Sequence, residues 1–150
     1  MAISLRRTTT DDPDFIALTG ELDRHLQHRY GPVQDLYVGF NVLPAKTYVI
    51  VASLDGRAVG CGAIKQYEPE VAELKRMFVP PELRGRGIAG VLVAALEAWA
   101  RELGFATMIL ETGHLQHEAI ALYHRLGFTD TPKYPPYVDL PASICMRKSL

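Results

Sequence analysis

Cysteine and tryptophan are scarce in this chain of 150 residues, which contains two cysteines and one tryptophan. Cys61 and Cys145 form no CxxC pair, so we expect two buried, reduced thiols rather than a disulfide scaffold or a zinc site. The sequence also lacks any apolar run of about 18 residues, the length that a membrane span requires. Its first residues, MAISLRRTTTDD, lack the apolar core of a signal peptide. These absences predict a cytoplasmic protein without a membrane partner.

An excess of charge of one sign is missing as well. The chain has 16 lysine and arginine residues against 17 aspartate and glutamate residues, for a net charge of −1. A nearly neutral surface argues against a nucleic-acid partner, so local basic residues must bind any anionic ligand. The five histidines are scattered. His114 and His117 have a spacing that would suit a metal, but no third ligand is apparent. We therefore predict no metal site.

What is present is the composition of one globular domain, with 48% hydrophobic residues. Hydrophobic periodicity predicts an α/β (α+β) fold, a central sheet with helices on its faces that is antiparallel in its first half. The predicted strands are 3–7, 47–54, 57–67, about 70–79, 105–112, about 128–133 and 143–148. Predicted helices cover 87–103 and about 116–126, and a first helix starts after Asp11 or Asp12 with an apolar stripe of Phe15, Ile16, Leu18, Leu22 and Leu26.

The most informative segment is residues 74–104, LKRMFVPPELRGRGIAGVLVAALEAWARELG. In this segment a strand-like run turns through Arg84, Gly85, Arg86 and Gly87 into a strong helix. Glycines let the backbone approach a ligand closely, and the first N–H groups of a helix have no partner within it. The junction therefore predicts a phosphate site, with charge supplied by the two arginines.

One interpretation of this junction is a dinucleotide site. Gly85, Gly87 and Gly90 spell GxGxxG, and Glu111 lies about far enough downstream to reach a ribose. The preceding strand, however, carries three charged residues within 73–76, whereas a dinucleotide-binding strand is buried on both faces and nearly all apolar. A dinucleotide-binding oxidoreductase therefore remains the weaker alternative.

The other pattern is Arg84, two residues, Gly87, one residue and Ala89, and here the chain resembles the GCN5-related N-acetyltransferase (GNAT) superfamily. Residues 73–104 resemble the strand, pyrophosphate loop and helix of that family in their order. The run EAIALYHRLGF, residues 118–128, resembles its second signature, a helix with a tyrosine followed by Gly and Phe. The resemblance implies a mixed, mostly antiparallel sheet of six to seven strands flanked by about four helices. It also implies one acetyl-CoA-dependent N-acetyltransferase domain over residues 1–150.

The resemblance implies which residues bind the coenzyme. The loop from Arg84 to Ala89 is expected to hold the pyrophosphate, and the end of the preceding strand is expected to give backbone hydrogen bonds to the pantetheine arm and the acetyl group. Gln116 occupies a position where the family often has asparagine. The complete expected set is Met77, Phe78, Val79, Arg84, Gly85, Arg86, Gly87, Ile88, Ala89, Gln116 and Tyr123.

Two catalytic groups are expected by the same resemblance. Glu73 has the spacing of the base glutamate in the histone-acetylating branch. Tyr123, the candidate acid, has the position of the tyrosine that hydrogen-bonds the coenzyme sulfur. A water relayed to Glu73 or Glu111 would serve as the base equally well. In the alternative interpretation, Glu73 has no catalytic role and is an ordinary surface carboxylate paired with Lys75 or Arg76. Strand alternation predicts that Glu73, Lys75, Met77 and Val79 share one face.

The acceptor is expected to be the amine of a small molecule or peptide, attacking acetyl-CoA directly in a ternary complex. Tyr30, Gln34, Tyr134 and Tyr137 are the predicted substrate-binding residues. A covalent route through a cysteine and a noncatalytic acyl-CoA-sensing domain remain as alternatives. The oligomeric state stays open, a homodimer being the commonest outcome for soluble oligomers.

Overall fold

One mixed sheet of seven strands runs through the computed structural model, which describes residues 2–44 and 46–150. The strands are β1 (Ile3–Thr8), β2 (Tyr48–Leu54), β3 (Arg57–Glu68), β4 (Val71–Phe78), β5 (Thr107–Gly113), β6 (Thr129–Thr131) and β7 (Ser143–Ser149). Their order is β1-β2-β3-β4-β5-β7-β6, and every neighbouring pair is antiparallel except β4 and β5. The predicted mixed, mostly antiparallel sheet is confirmed.

Helices begin and end close to the predicted positions. The described ranges contain α1 (Pro13–Tyr30), α2 (Ile88–Glu102) and α3 (His117–Arg125), together with short 3₁₀ helices at Gly31–Leu36, Val38–Asn41 and Pro81–Leu83. α1 begins at Pro13 because the Asp12 carboxylate accepts hydrogen bonds from the N–H groups of Asp14 and Phe15 at 2.9 and 3.4 Å. No helix in residues 2–44 and 46–150 is long and apolar enough to cross a membrane.

Each face of the sheet carries its own apolar core. α2 covers one face through Leu92 and Leu96, both fully buried. α1 covers the other face through Phe15 and Leu22. Ile16, predicted to belong to the apolar stripe of α1, is 56% exposed, because it lies about 100° around the helix from Phe15. That part of the prediction is wrong.

A β-bulge interrupts β4. Cys61 pairs with Phe78 and Ala63 pairs with Lys75, so β4 has one residue more than β3 in this interval. Arg76 lies within the interval and has a φ of 57°. An extra residue reverses the alternation of side chains beyond it.

The bulge corrects the predicted face of β4. Leu74 belongs to the core under α2, so its neighbours Glu73 and Lys75 point to the opposite face. Beyond the bulge, Met77 and Val79 return to the core under α2. The prediction that Glu73, Lys75, Met77 and Val79 share one face is therefore wrong.

The sheet opens between β4 and β5. Their parallel pairing runs from Val71 and Thr107 to Leu74 and Leu110, although β4 continues to Phe78 and β5 to Gly113. The carboxyl ends of these two strands are therefore separated. Ligand sites of sheets with parallel strands commonly lie outside such carboxyl ends.

Candidate active site

The loop before α2 presents backbone N–H groups to open space. Gly85 and Gly87 have φ values of 81° and 80°, which favour glycine, and a Cβ on either would meet no atom within 4 Å. α2 starts at Ile88 without a side-chain hydrogen bond at its N-cap. The N–H of Val91 donates to the Gly87 carbonyl at 3.1 Å, so the N–H groups before it have no acceptor within the helix. With the helix dipole behind them, these groups suit an anion.

The two arginines of this loop differ in their surroundings. Arg84 Nε donates to the Val79 carbonyl at 2.9 Å, and its Nη1 lies 3.6 Å from a carboxylate oxygen of Glu118. These contacts fix the Arg84 guanidinium beside the loop. Arg86 is exposed and does not line the cavity described next.

A first cavity, of about 250 Å³, lies beside the loop. The end of β4, the first turn of α2 and one face of α3 form its wall. Ten of the eleven predicted coenzyme residues line it: Met77, Phe78, Val79, Arg84, Gly85, Gly87, Ile88, Ala89, Gln116 and Tyr123. The wall also contains His25 and Arg29 from α1 and Arg125 from α3, to none of which the sequence analysis gave a role.

A second cavity, of about 120 Å³, lies in the opening between β4 and β5. Its wall contains Lys75 of β4, Glu111 of β5 and Asn41, the last residue of the 3₁₀ helix Val38–Asn41. Five residues line both cavities, namely Leu22, Met77, Gln116, Ala119 and Tyr123. The two cavities are therefore neighbours that share a wall.

Tyr123 belongs to this shared wall. α3 directs its ring into the core, where it packs edge-on against Phe128 with ring centroids 5.7 Å apart. Burial raises the pKa of Tyr123 well above its ordinary value. The hydroxyl therefore stays protonated and remains a hydrogen-bond donor at the junction of the cavities.

Gln116, at the N-cap of α3, contributes an unpartnered acceptor to the same wall. Its side-chain oxygen is buried and has no hydrogen-bond partner among the described residues. Buried polar atoms of native proteins are almost always hydrogen-bonded. This oxygen can therefore accept a hydrogen bond from an external donor such as the amide N–H of a ligand. The residues present thus fit the pantetheine arm of coenzyme A.

Glu73, the predicted base, is 2% exposed and lies outside the walls of both cavities. The Tyr134 hydroxyl donates to it at 2.8 Å, and Lys65 Nζ lies 3.6 Å from its other oxygen. Its catalytic role stays a prediction.

Glu111 belongs to the wall of the second cavity. Ser143 Oγ donates to its carboxylate at 2.8 Å, and the Tyr37 hydroxyl lies 3.0 Å from the same Oγ. Burial raises the pKa of Glu111, an effect opposed by the Ser143 hydrogen bond and the charge of Lys75. A carboxylate with a raised pKa is better matched to accept a proton near neutral pH.

The predicted substrate-binding residues Tyr30, Gln34, Tyr134 and Tyr137 lie outside both walls. Tyr30 accepts a hydrogen bond from the N–H of Leu115 at 3.1 Å and so joins α1 to the segment before α3. Gln34 is buried in a 3₁₀ helix. Tyr134 and Tyr137 pack edge-on with centroids 5.5 Å apart, and their part in substrate binding stays a prediction.

Lys75 is a site residue to which the sequence analysis gave no role. It is 8% exposed, and its Nζ donates to the Phe40 carbonyl at 2.9 Å and to the Tyr137 hydroxyl at 2.8 Å. Burial lowers the pKa of this amine. The signal available in the sequence was a lysine among the three charged residues of this strand, since a lysine that becomes buried in a sheet requires a specific reason.

The two cysteines are buried thiols, as predicted. Burial raises the pKa of Cys61 to about 12 and also raises that of Cys145. A thiol rather than a thiolate is a poor nucleophile, which disfavours the covalent route. Among the described residues, no group of three or more histidine, cysteine, aspartate or glutamate side chains is arranged to hold a metal ion.

The chain belongs to the Acetyltransferase (GNAT) family, whose model matches residues 11–128. It is 36% identical over 151 aligned residues to an IAA acetyltransferase from Azospirillum brasilense, across 99% of this chain and 98% of that protein. The predicted family and the predicted enzyme class, an acyltransferase, are confirmed. These findings give no support to a dinucleotide-binding oxidoreductase.

Solved structures show the same fold. A protein from Klebsiella pneumoniae assigned as an acyl-CoA N-acyltransferase has a TM-score of 0.84 and 37% identity, covering 99% of this chain and 97% of that one. The PaiA N-acetyltransferase from Thermoplasma acidophilum, solved in complex with coenzyme A, has a TM-score of 0.73 at 16% identity over 100% of both chains. The second likeness is one of fold alone.

Proposed function

We propose that this acetyltransferase transfers the acetyl group of acetyl-CoA to the amine of a small molecule, by direct attack within a ternary complex. The observation that carries the proposal is the pair of neighbouring cavities. An anion-binding loop lines one of them, the partly buried carboxylate of Glu111 lines the other, and Tyr123 lines both. The second cavity, at about 120 Å³, favours a small acceptor over a peptide.

The first cavity is the proposed coenzyme site. The loop from Arg84 to Ala89 binds the pyrophosphate through backbone N–H groups, and Gln116 accepts a hydrogen bond from a pantetheine amide. Because β4 and β5 separate after Leu74, the edge of residues 77–79 on the β5 side has no strand partner among the described residues and is left to pair with the arm as an added strand would. The coenzyme A complex of the PaiA relative supports this use of the fold.

The second cavity is the proposed acceptor site, with Glu111 as the general base. An ammonium is not a nucleophile, so Glu111 removes its proton directly or through a water. We prefer Glu111 to Glu73 because it belongs to the cavity wall, whereas Glu73 is covered by Tyr134.

Tyr123 is the proposed donor to the departing sulfur. Acetyl transfer forms a C–N bond to the acceptor and breaks the C–S bond of the thioester, so the products are an amide, coenzyme A and one proton. The Tyr123 hydroxyl donates a hydrogen bond to the sulfur and stabilises the negative charge that develops on it. Solvent supplies the proton of the product thiol.

The test has two stages. Acetyl-CoA binding to the purified protein is measured by calorimetry, and thiol release is then followed over a panel of primary amines, with the acetylated product identified by mass spectrometry. We expect binding and an amide product. Absence of acetyl-CoA binding would contradict the proposal, as would the appearance of an acetylated cysteine during turnover.

A further inference from the structure

Two charges in the wall of the second cavity, the buried Lys75 and the partly buried Glu111, have only neutral hydrogen-bond partners. Lys75 Nζ donates to a backbone carbonyl and to the Tyr137 hydroxyl, and Glu111 accepts from Ser143. Within the described residues, neither charge has an oppositely charged group within 4.0 Å, so Lys75 and Glu111 are also separated by more than that distance. Burial of a charge without a counter-charge is costly.

The other charges near this opening are already paired. Arg76 also lines the cavity, but its guanidinium lies 2.6 Å from Asp23. Glu73 lies 3.6 Å from Lys65 and accepts a hydrogen bond from Tyr134. The opening therefore offers one cation and one carboxylate to a ligand that lies between them.

We propose that the second cavity selects an acceptor that carries a carboxylate close to its amine, which is an amino acid in its zwitterionic form. Lys75 binds the carboxylate of the acceptor, and Glu111 faces its ammonium group. The inference rests on the proposed function and adds the substrate class. Lys75 acts as a specificity residue, because it contacts the acceptor at a distance from the reacting amine.

The first experiment compares matched acceptors on the unmodified protein. Each of several amino acids is tested against the amine that lacks only its carboxylate, for example phenylalanine against phenethylamine and serine against ethanolamine. A hydrogen bond between charged groups contributes enough to predict a kcat/KM about 10-fold to 100-fold higher for the amino acid, mostly through a lower KM.

The second experiment tests the residue. Lys75→Met keeps the length of the side chain and removes its charge, so the ratio of kcat/KM for the amino acid to kcat/KM for the matching amine is expected to fall to about one. Lys65→Met is the matched control, since it removes the same charge from the neighbouring strand β3 but lies outside both cavity walls. Acetyl-CoA binding, measured on each variant, reports whether the fold is retained.

The outcomes separate the two proposals. Equal kcat/KM for both members of the pairs, or acetyl-CoA binding without acetylation of any amino acid, overturns the inference and leaves the acetyltransferase proposal intact. If Lys75→Met folds and loses kcat/KM equally for the amino acid and for the matching amine, the proposed role of Lys75 is overturned. Absence of acetyl-CoA binding to the unmodified protein refutes the proposed function itself.

Discussion

Gly87→Glu is the sharpest test of the anion site. Gly87 has a φ of 80° at the start of α2, and a Cβ there would meet no atom within 4 Å. A new side chain therefore causes no clash within the protein, but it extends into the space where the pyrophosphate is expected. The left-handed conformation alone costs a non-glycine residue about 1–2 kcal/mol.

The magnitude follows from the backbone donors. Losing two hydrogen bonds to a charged group, each contributing about 1.5–3 kcal/mol, corresponds to a loss of affinity of at least about 100-fold. Acetyl-CoA at 100 times its Kd stabilises the wild-type fold by about 2.7 kcal/mol. For a domain of this size that is a Tm increase of about 5–11 °C, which the variant reduces to about 1–2 °C.

The assay is the acetyl-CoA-induced Tm shift of wild type, Gly87→Glu and Gly56→Glu. Gly56 is a matched control, because it has a φ of 79°, no atom within 4 Å of an added Cβ, and a position in the turn between β2 and β3, outside both cavities. Both variants are expected to lose similar stability without ligand, and only Gly87→Glu is expected to lose the shift. An undiminished shift in Gly87→Glu, or an equal loss in both variants, would refute the reasoning.

Three further outcomes are expected. Tyr123→Phe should lower kcat about 100-fold with little change in the KM for acetyl-CoA; an unchanged kcat in steady-state kinetics would leave Tyr123 with a packing role only. Because burial raises the pKa of Glu111, its contribution to stability is present below the unfolded pKa and is lost as pH rises through the folded pKa. Glu111→Gln should therefore raise the Tm at pH 8 and remove the acidic limb of the kcat/KM profile, and a lower Tm with that limb retained would contradict both assignments. Cys61→Ala should keep its kcat, because the thiol is buried with a pKa of about 12, and a variant that folds but does not turn over would point to a covalent route.

The local parts of the site were predictable from sequence. The exposure of the N–H groups in the 84–89 loop depends on the conformation of Gly85 and Gly87 and on the start of α2. These residues are contiguous in the chain. Tyr123 and Gln116 lie on one short helix whose end is marked by Gly127. Such features follow from backbone conformation and capping, which neighbouring residues determine.

The acceptor side was not predictable in the same way. Glu111 and Lys75 come together because β4 and β5 are neighbours in the sheet, although 36 positions separate them in the chain. The hydrogen-bond partners of Lys75 are Phe40 and Tyr137, and neither residue belongs to a strand or an α-helix. No local pattern encodes such contacts, since they depend on tertiary packing.

The bulge in β4 explains how one strand serves both cavities. Arg76 has a left-handed φ, at a cost of about 1–2 kcal/mol, and its side chain, 6% exposed, donates to the Thr19 carbonyl at 3.0 Å and lies 2.6 Å from Asp23. These contacts with α1 offset the strain. A regular strand would direct Lys75 and Met77 to the same face, whereas the extra residue leaves Lys75 opposite the core under α2 and returns Met77 to it. The strand can thus supply a charge to the proposed acceptor site and a wall to the proposed coenzyme site within three residues.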